Sequence, residues 1–204
     1  MDDIRKKVLG RQDPIVNEKL KNAKVSILGC GGLGSNIAMT LARSGVGELY
    51  LYDFDTIEYS NLNRQNYTLD ELGGDKAELT KKKIESTLPY VKCHSQNIYL
   101  TTENMDTIVD KTDIFIEAFD NKESKTMLFD YFVGRKDKYL ITGTGVSGLG
   151  ELSDIKIKQI NNVTLIGDFT SNPDQGLYLA YVGIIASLEA LTAIKILTGD
   201  YNGK

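Results

Sequence analysis

The sequence predicts an α/β fold, and three features of the chain support that prediction. Short apolar runs typical of strands alternate with longer stretches that have helical spacing. The first apolar run, 24–28, leads through a glycine-rich turn at 29–34 into a helix-like stretch at 35–44. Residues 151–158 and 162–166 are expected to form an antiparallel pair in the C-terminal third. We therefore predict a Rossmann-like, mostly parallel sheet with helices on both faces and an antiparallel extension.

The other elements are expected to follow in a regular order. Helical spacing places Leu79 and Ile84 on one side of a helix, and Gly199 is expected to end a long apolar helix. Ligands of such sheets bind at the carboxyl ends of the strands, where the glycine turn, Asp53 and Asp120 are expected to meet. The predicted strands are 24–28, 48–52, 92–97, 113–117 and 138–142, and the predicted helices are 14–22, 35–44, 76–86, 104–109, 122–132 and 180–197.

Length and composition favour one domain in the cytoplasm. The 204 residues, 41% of them hydrophobic, can fill one substantial core, so we expect residues 1–204 to form a single domain. A net charge of −4 gives no electrostatic case for nucleic acid or an anionic membrane. No apolar run is expected to approach the ~20 residues that span a bilayer. The N-terminus is charged, and two lone cysteines, Cys30 and Cys93, indicate a reducing compartment.

The glycine turn indicates a nucleotide site. Gly29, Gly31 and Gly32 would let the backbone approach a phosphate, and Gly34 would let the helix pack closely on the strand. The helix N-terminus then offers unpaired amides to an anion. Asp53, which ends the second strand, is placed to bind a ribose. By themselves these features also fit an NAD-dependent oxidoreductase.

The residues after Asp53 point away from a redox enzyme. Asn61 and Arg64 lie just beyond the ribose carboxylate, where a triphosphate would sit, and Arg64 has a planar fork suited to phosphate oxygens. Lys76 opens the next predicted helix and adds a second cation. Alternatively, Arg64 and Lys76 could be ordinary surface charges.

At this point the chain resembles the ThiF/MoeB family, relatives of the ubiquitin-activating enzymes, and its compact ThiF-like branch in particular. The resemblance covers roughly residues 11–199. It implies an enzyme that uses ATP to adenylate the C-terminal glycine carboxylate of a small ubiquitin-like sulfur carrier protein, ThiS-like and ending in Gly-Gly, in thiamine biosynthesis. The segments that carry it are 29–35, 53–55, 60–65, 117–121, 183–190 and 193–197.

The resemblance also implies a role for each site residue. Gly29, Gly31, Gly32 and Gly34 would form the nucleotide turn, and Asp53 would hold the ribose. Asn61 and Arg64 would contact the phosphates, and Lys76 would stabilise charge at the α-phosphate. Asp120 would hold Mg²⁺, although it could instead cap the following helix. Asp55 could hold its loop or assist the metal. Arg11, in the pair Arg11-Gln12, would reach across a homodimer to the ATP phosphates.

Two absences separate this chain from longer members of the family. It has only Cys30 and Cys93, so one chain cannot form a four-cysteine zinc site. Residues 145–180, where some relatives carry a reactive cysteine, contain none. We therefore expect the chemistry to stop at the adenylate and sulfur transfer to occur on another protein.

Other functions remain open at this stage. Relatives in the family act on molybdopterin carriers, on peptide carboxylates or on a modified tRNA nucleoside, and the acidic balance of this chain disfavours tRNA. A NAD-dependent oxidoreductase and a non-catalytic nucleotide-binding scaffold are alternatives of other classes.

Overall fold

Seven strands form one sheet in the computed structural model, which describes residues 1–201 and, of Pro173, the backbone alone. The strand order is β3-β2-β1-β4-β5-β7-β6, and every pairing is parallel except that of β6 with β7. This order confirms the predicted fold class, with its antiparallel extension. The strands are β1 Lys24–Leu28, β2 Glu48–Asp53, β3 Lys92–Asn97, β4 Ile114–Glu117, β5 Tyr139–Gly143, β6 Lys156–Ile160 and β7 Val163–Gly167.

The α-helices begin and end at residues suited to helix termini. Asp13, Asp75 and Asn121 are N-cap residues whose side chains accept hydrogen bonds from first-turn amides, and Gly45 and Gly199 end helices in the left-handed conformation. The helices are α1 Asp2–Val8, α2 Pro14–Lys21, α3 Gly34–Ser44, α4 Lys76–Thr87, α5 Lys122–Phe132 and α6 Leu179–Thr198.

Two apolar cores lie on opposite faces of the sheet. Successive residues of a strand point to opposite faces, so Ile27 belongs to one core and Leu28 to the other. The first core includes residues of α3, α4 and α6. The second includes Leu128 and Phe132 of α5. The helices therefore cover both faces, and the carboxyl ends of the central strands form one edge of the sheet.

Three segments differ from the sequence-based prediction. In place of the helix predicted at 104–109, the chain forms two short 3₁₀ turns, Met105–Thr107 and Val109–Lys111, because the Asn104 and Thr107 side chains bond to nearby backbone groups and compete with helical bonding. The strand expected from residue 151 begins only at Lys156, which pairs with the last residue of β7, Gly167. Helix α1 was not predicted.

Helix α6 corrects the expectation about membrane-spanning length. Its 20 residues are long and apolar enough, by length and composition alone, to cross a bilayer. In the fold this helix packs on α3 and β5, and Ile185, Ala186 and Ala190 belong to the first core. Its apolar character is that of a core helix.

Candidate active site

The glycine turn, β2 and β4 meet in one cleft at the carboxyl edge of the sheet. The cleft encloses about 750 Å³ of space when the open solvent at its mouth is included. Its charged and amide side chains are Asp53, Asp55, Arg64, Gln65, Lys76, Asp120 and Asn121. Its apolar side chains are Leu33, Phe54, Ala118, Phe119, Val146, Leu177 and Val182. The lining therefore combines charged and apolar side chains, as a nucleotide requires.

The glycine turn is shaped by close backbone contacts. Gly29 has a φ of +100°, and a Cβ there would lie 2.9 Å from the carbonyl oxygen of Ala118. A Cβ at Gly34 would lie only 1.8 Å from the carbonyl oxygen of Gly29. Gly29, Gly31 and Gly32 line the cleft, whereas Gly34 packs helix α3 on the turn. No side chain caps the N-terminus of α3 in the described structure, which leaves amides for an anion.

Asp53 connects the glycine turn to the end of β2. One carboxylate oxygen accepts a hydrogen bond from the Cys30 amide at 2.6 Å, and the other accepts one from the Asp55 amide at 2.8 Å. Burial raises the pKa of Asp53, and these two backbone hydrogen bonds partly oppose that shift. The carboxylate is thereby held at the floor of the cleft, where it lines the space expected for a ribose.

Lys76 is a buried cation at the first position of α4. Only 6% of the residue is exposed, yet its ammonium group reaches the cleft and lies 3.0 Å from Asp55 Oδ2. The Asp55 side chain is half exposed. Asp55 therefore neutralises and orients Lys76, a contact that the sequence did not predict.

Arg64 extends across the mouth of the glycine turn. Its Nη1 atom donates to the Ser60 carbonyl oxygen at 2.8 Å and to Asn63 Oδ1 at 2.9 Å. Its stem would lie 3.5 Å from a Cβ at Gly32. Partial burial lowers the pKa of Arg64, and the charge of Asp120 opposes that shift. The Nε and Nη2 donors make no hydrogen bond within residues 1–201, so they are available to an anion.

Asp120 and Asn121, which follow β4, have different places: Asn121 caps the next helix and Asp120 lines the cleft. The Asn121 side chain caps α5 by accepting a hydrogen bond from the Ser124 amide at 2.8 Å. The alternative that Asp120 caps this helix is therefore wrong. Asp120 is exposed in the cleft, and in the part of the chain that the structure describes its carboxylate forms neither a hydrogen bond nor an ion pair.

Besides Gly34, two predicted site residues do not line this cleft. Asn61 is buried, and its Oδ1 atom accepts a hydrogen bond from the Glu58 amide at 3.0 Å. It therefore shapes the loop that carries Arg64. Arg11 lies in the exposed turn between α1 and α2. It does not line the cleft of its own chain, and its role across a dimer stays a prediction.

The structure adds residues that sequence reasoning missed. Gln65 lines the cleft, and its buried Oε1 atom has no hydrogen-bond partner among the described residues. Its place next to Arg64 was the one available signal. Val146, Leu177 and Val182 come from loops and a helix distant in sequence. No local pattern distinguishes them from other apolar residues.

Comparison with known proteins identifies the family. The ThiF family model matches residues 5–204. This chain belongs to the ThiF family. The matched residues include the glycine turn, Arg64 and Lys76, so the cleft lies within the family domain.

Named relatives cover most of this chain. The molybdopterin-synthase adenylyltransferase of Haemophilus influenzae is 33% identical over 188 residues, which are 88% of this chain and 76% of that protein. The sulfur carrier protein adenylyltransferase of Thermus thermophilus is 28% identical and covers 96% of this chain and 76% of its own. An adenylyltransferase and sulfurtransferase of Debaryomyces hansenii is 32% identical over 90% of this chain. The match spans only 43% of the Debaryomyces protein.

Solved structures share the fold. The tRNA N6-threonylcarbamoyladenosine dehydratase of E. coli, in complex with AMP, superposes with a TM-score of 0.85 at 20% identity and covers 95% of this chain and 93% of its own. E. coli MccB in complex with ATP has a TM-score of 0.72 at 25% identity and covers 93% of this chain and 59% of its own. The first of these shows the fold alone.

Proposed function

We propose that this protein is an ATP-dependent adenylyltransferase for the C-terminal glycine carboxylate of a ubiquitin-like sulfur carrier protein. The supporting observation is a single cleft lined by Arg64, Lys76, the glycine turn and a set of apolar side chains. Family relatives that carry adenylyltransferase names support the same reaction. We propose the ThiS-like carrier of thiamine biosynthesis as the substrate, and the cytoplasm as its location.

The chemistry needs charge stabilisation more than proton transfer. The glycine carboxylate is ionised at neutral pH, so its oxygen can attack the α-phosphorus of ATP without a general base. A new P–O bond forms, the bond from the α-phosphorus to the bridging oxygen breaks, and pyrophosphate leaves with that electron pair. Arg64 and Lys76 would stabilise the charge that develops on the phosphate oxygens.

A magnesium ion fits the charge of this cleft. Asp120 offers a free carboxylate beside the two cations, and Mg²⁺ prefers carboxylate, phosphate and water oxygens. Within residues 1–201 no group of three or more His, Cys, Asp or Glu side chains could form a protein cage for a metal. Asp120 would therefore share the ion with ATP and water, and the ion would neutralise phosphate charge.

The substrate could instead be a carrier for molybdopterin synthesis, because one relative is named for that reaction. The tRNA alternative has less support, since the net charge of −4 gives no attraction for a polyanion. Membership of the ThiF family leaves the NAD-dependent alternative without support. A homodimer with Arg11 reaching across it is also part of this proposal.

Pyrophosphate–ATP exchange tests the proposal. We expect exchange that requires magnesium and a carrier ending in Gly-Gly, and no exchange when the last glycine of the carrier is removed. Arg64→Ala should lower the exchange rate by about 10²- to 10³-fold, the cost of one missing donor to developing charge. The dissociation constant for ATP should change by less than about tenfold, because the glycine turn and Asp53 remain.

Arg135→Ala is the matched control for the arginine substitution. Arg135 is exposed, stacks on Tyr131 and lies outside the cleft. Its removal should leave exchange unchanged. Absence of exchange with every Gly-Gly carrier would refute the proposal, and unchanged exchange in Arg64→Ala would favour a scaffold that only binds nucleotide.

A further inference from the structure

The side chain of Asn63 connects two parts of the cleft that lie far apart in sequence. Its Oδ1 atom accepts a hydrogen bond from Arg64 Nη1 at 2.9 Å. Its Nδ2 atom donates to the carbonyl oxygen of Leu177, also at 2.9 Å and 114 residues further along the chain. Arg64 and Leu177 both line the cleft. One exposed amide therefore joins two lining segments that are far apart in sequence.

The chemistry of the two partners determines the orientation of this amide. Guanidinium nitrogens can only donate, and a carbonyl oxygen can only accept. If the amide were rotated by half a turn, its NH₂ group would oppose Arg64 and its oxygen would oppose the Leu177 carbonyl. Both contacts would then be lost, so the observed orientation is the one that uses both ends of the side chain.

The contact with Asn63 limits how Arg64 can move. A guanidinium has five N–H donors. Two of them, both on Nη1, are directed at Ser60 and Asn63, and the stem lies along Gly32. The three donors on Nε and Nη2 are left for an anion. A guanidinium anchored along one edge presents its other edge in a fixed direction.

The segment that contains Leu177 is hydrogen-bonded to the glycine-rich loop that follows β5. The Gly148 amide donates to the Gly176 carbonyl oxygen at 2.8 Å, and the Ser147 amide donates to Ser171 Oγ at 3.0 Å. Val146 and Leu177 both line the cleft. A substrate that contacts Val146 or Leu177 would therefore contact the segment whose carbonyl oxygen accepts the hydrogen bond from Asn63 Nδ2.

We propose that Asn63 is a positioning residue for the adenylation reaction: it orients the Arg64 guanidinium and couples that orientation to the segment of the cleft lining at Leu177. This inference rests on the proposed function. Asn63 itself does not line the cleft. Its effect on the reaction therefore passes through Arg64 at one end and through Leu177 at the other.

A double-mutant cycle on pyrophosphate–ATP exchange tests this role. Asn63→Ala should lower kcat by about 10- to 100-fold, since misplacement of a positioned group has effects of that size, while KM for ATP changes less than about threefold. In the Arg64→Ala background the same substitution should lower kcat by less than about twofold. A residue with a purely structural role would lower the rate by the same factor in both backgrounds.

One further variant tests the Leu177 contact of the Asn63 side chain separately, and another serves as a control. Asn63→Asp keeps an acceptor for Arg64 but opposes the Leu177 carbonyl oxygen with a carboxylate, so KM for the carrier should rise severalfold. Asn104→Ala is the matched control, because that side chain also donates to a carbonyl oxygen at 2.9 Å but lies outside the cleft. It should leave both constants unchanged.

The outcomes distinguish this inference from the function on which it rests. If the unmodified protein exchanges pyrophosphate but Asn63→Ala has no effect, or has equal effects in both backgrounds, the positioning role is refuted and the enzyme function stands. If the unmodified protein shows no exchange with any Gly-Gly carrier, the proposed function is refuted and the role of Asn63 with it.

Discussion

Glu189 is a carboxylic acid enclosed by the core, and its replacement by glutamine should change how stability depends on pH. The residue is completely buried in α6, and neither carboxylate oxygen has a hydrogen-bond partner among the described residues. Burial raises its pKa well above the ordinary value of 4.5. Two charged groups act on it: the Lys125 ammonium opposes the shift, and the Glu117 carboxylate adds to it. Glu189→Gln keeps the shape and removes the titration.

The magnitude follows from linkage between protonation and folding. Above pH 4.5 the unfolded chain releases the proton of Glu189, whereas the folded chain retains it. The folded state then binds more protons, so the free energy of unfolding falls as pH rises, by about 1.4 kcal/mol per pH unit. This loss continues up to the raised pKa of the folded state and then stops. The stabilising effect of Glu189→Gln should therefore be smallest at or below pH 4.5 and grow with pH.

Urea denaturation at several pH values between about 4.5 and 8 measures this difference. The free-energy difference between Glu189→Gln and the unmodified protein should rise by up to about 1.4 kcal/mol per unit before it levels off. Glu123→Gln on the exposed side of α5 is the control, because water solvates that carboxylate before and after unfolding. A difference that is independent of pH, or that shrinks as pH rises, would show that Glu189 does not retain its proton in the fold.

Three further substitutions test the cleft and its glycine turn. Lys76→Ala should lower pyrophosphate exchange by about 10²-fold or more, and full exchange activity would exclude Lys76 from the reaction. The same substitution should lower the free energy of unfolding by less than about 1 kcal/mol, since its partner Asp55 is half exposed and can be hydrated. Gly34→Ala should destabilise the fold by about 3 kcal/mol or more, because its Cβ would lie 1.8 Å from the Gly29 carbonyl oxygen. Gly31→Ala, whose Cβ would meet only Gln65 Nε2 at 3.7 Å, should cost less than about 1 kcal/mol in the same urea titration. Equal costs at the two glycines would contradict the packing account.

Most of the fold could be predicted from local pattern. Strands β1 and β3 and helix α5 have the predicted boundaries, because each combines a clear period with a clear terminus, such as the Asn121 cap. The 3₁₀ turns near Asn104 were harder to predict, since side-chain bonds to the local backbone override helical spacing there. The length of β6 depends on its partner β7, which pattern alone does not specify.

Much of the candidate site could also be predicted before the structure was known. Asp53, Arg64 and Lys76 were predicted from residue type and spacing and Asp120 from the family resemblance, and the structure brings all four into one cleft. Asn61 was expected to contact phosphates, but its side chain bonds to the Glu58 amide. An asparagine can serve a ligand or its own loop equally well, and only its neighbours decide between the two.

The sequence by itself determined the alternation of strands and helices along the chain, the glycine turn and the charged side chains of the cleft. These depend on local periodicity and on residues close together in the chain. The tertiary structure alone decided that Val146, Leu177 and Val182 line the same cleft, that Asn63 bonds to Leu177, and that Glu189 is enclosed without a hydrogen-bond partner in the described chain. The physical reason is that these features arise where segments more than a hundred residues apart pack against each other, and no local rule specifies which apolar or polar residue a distant segment will meet.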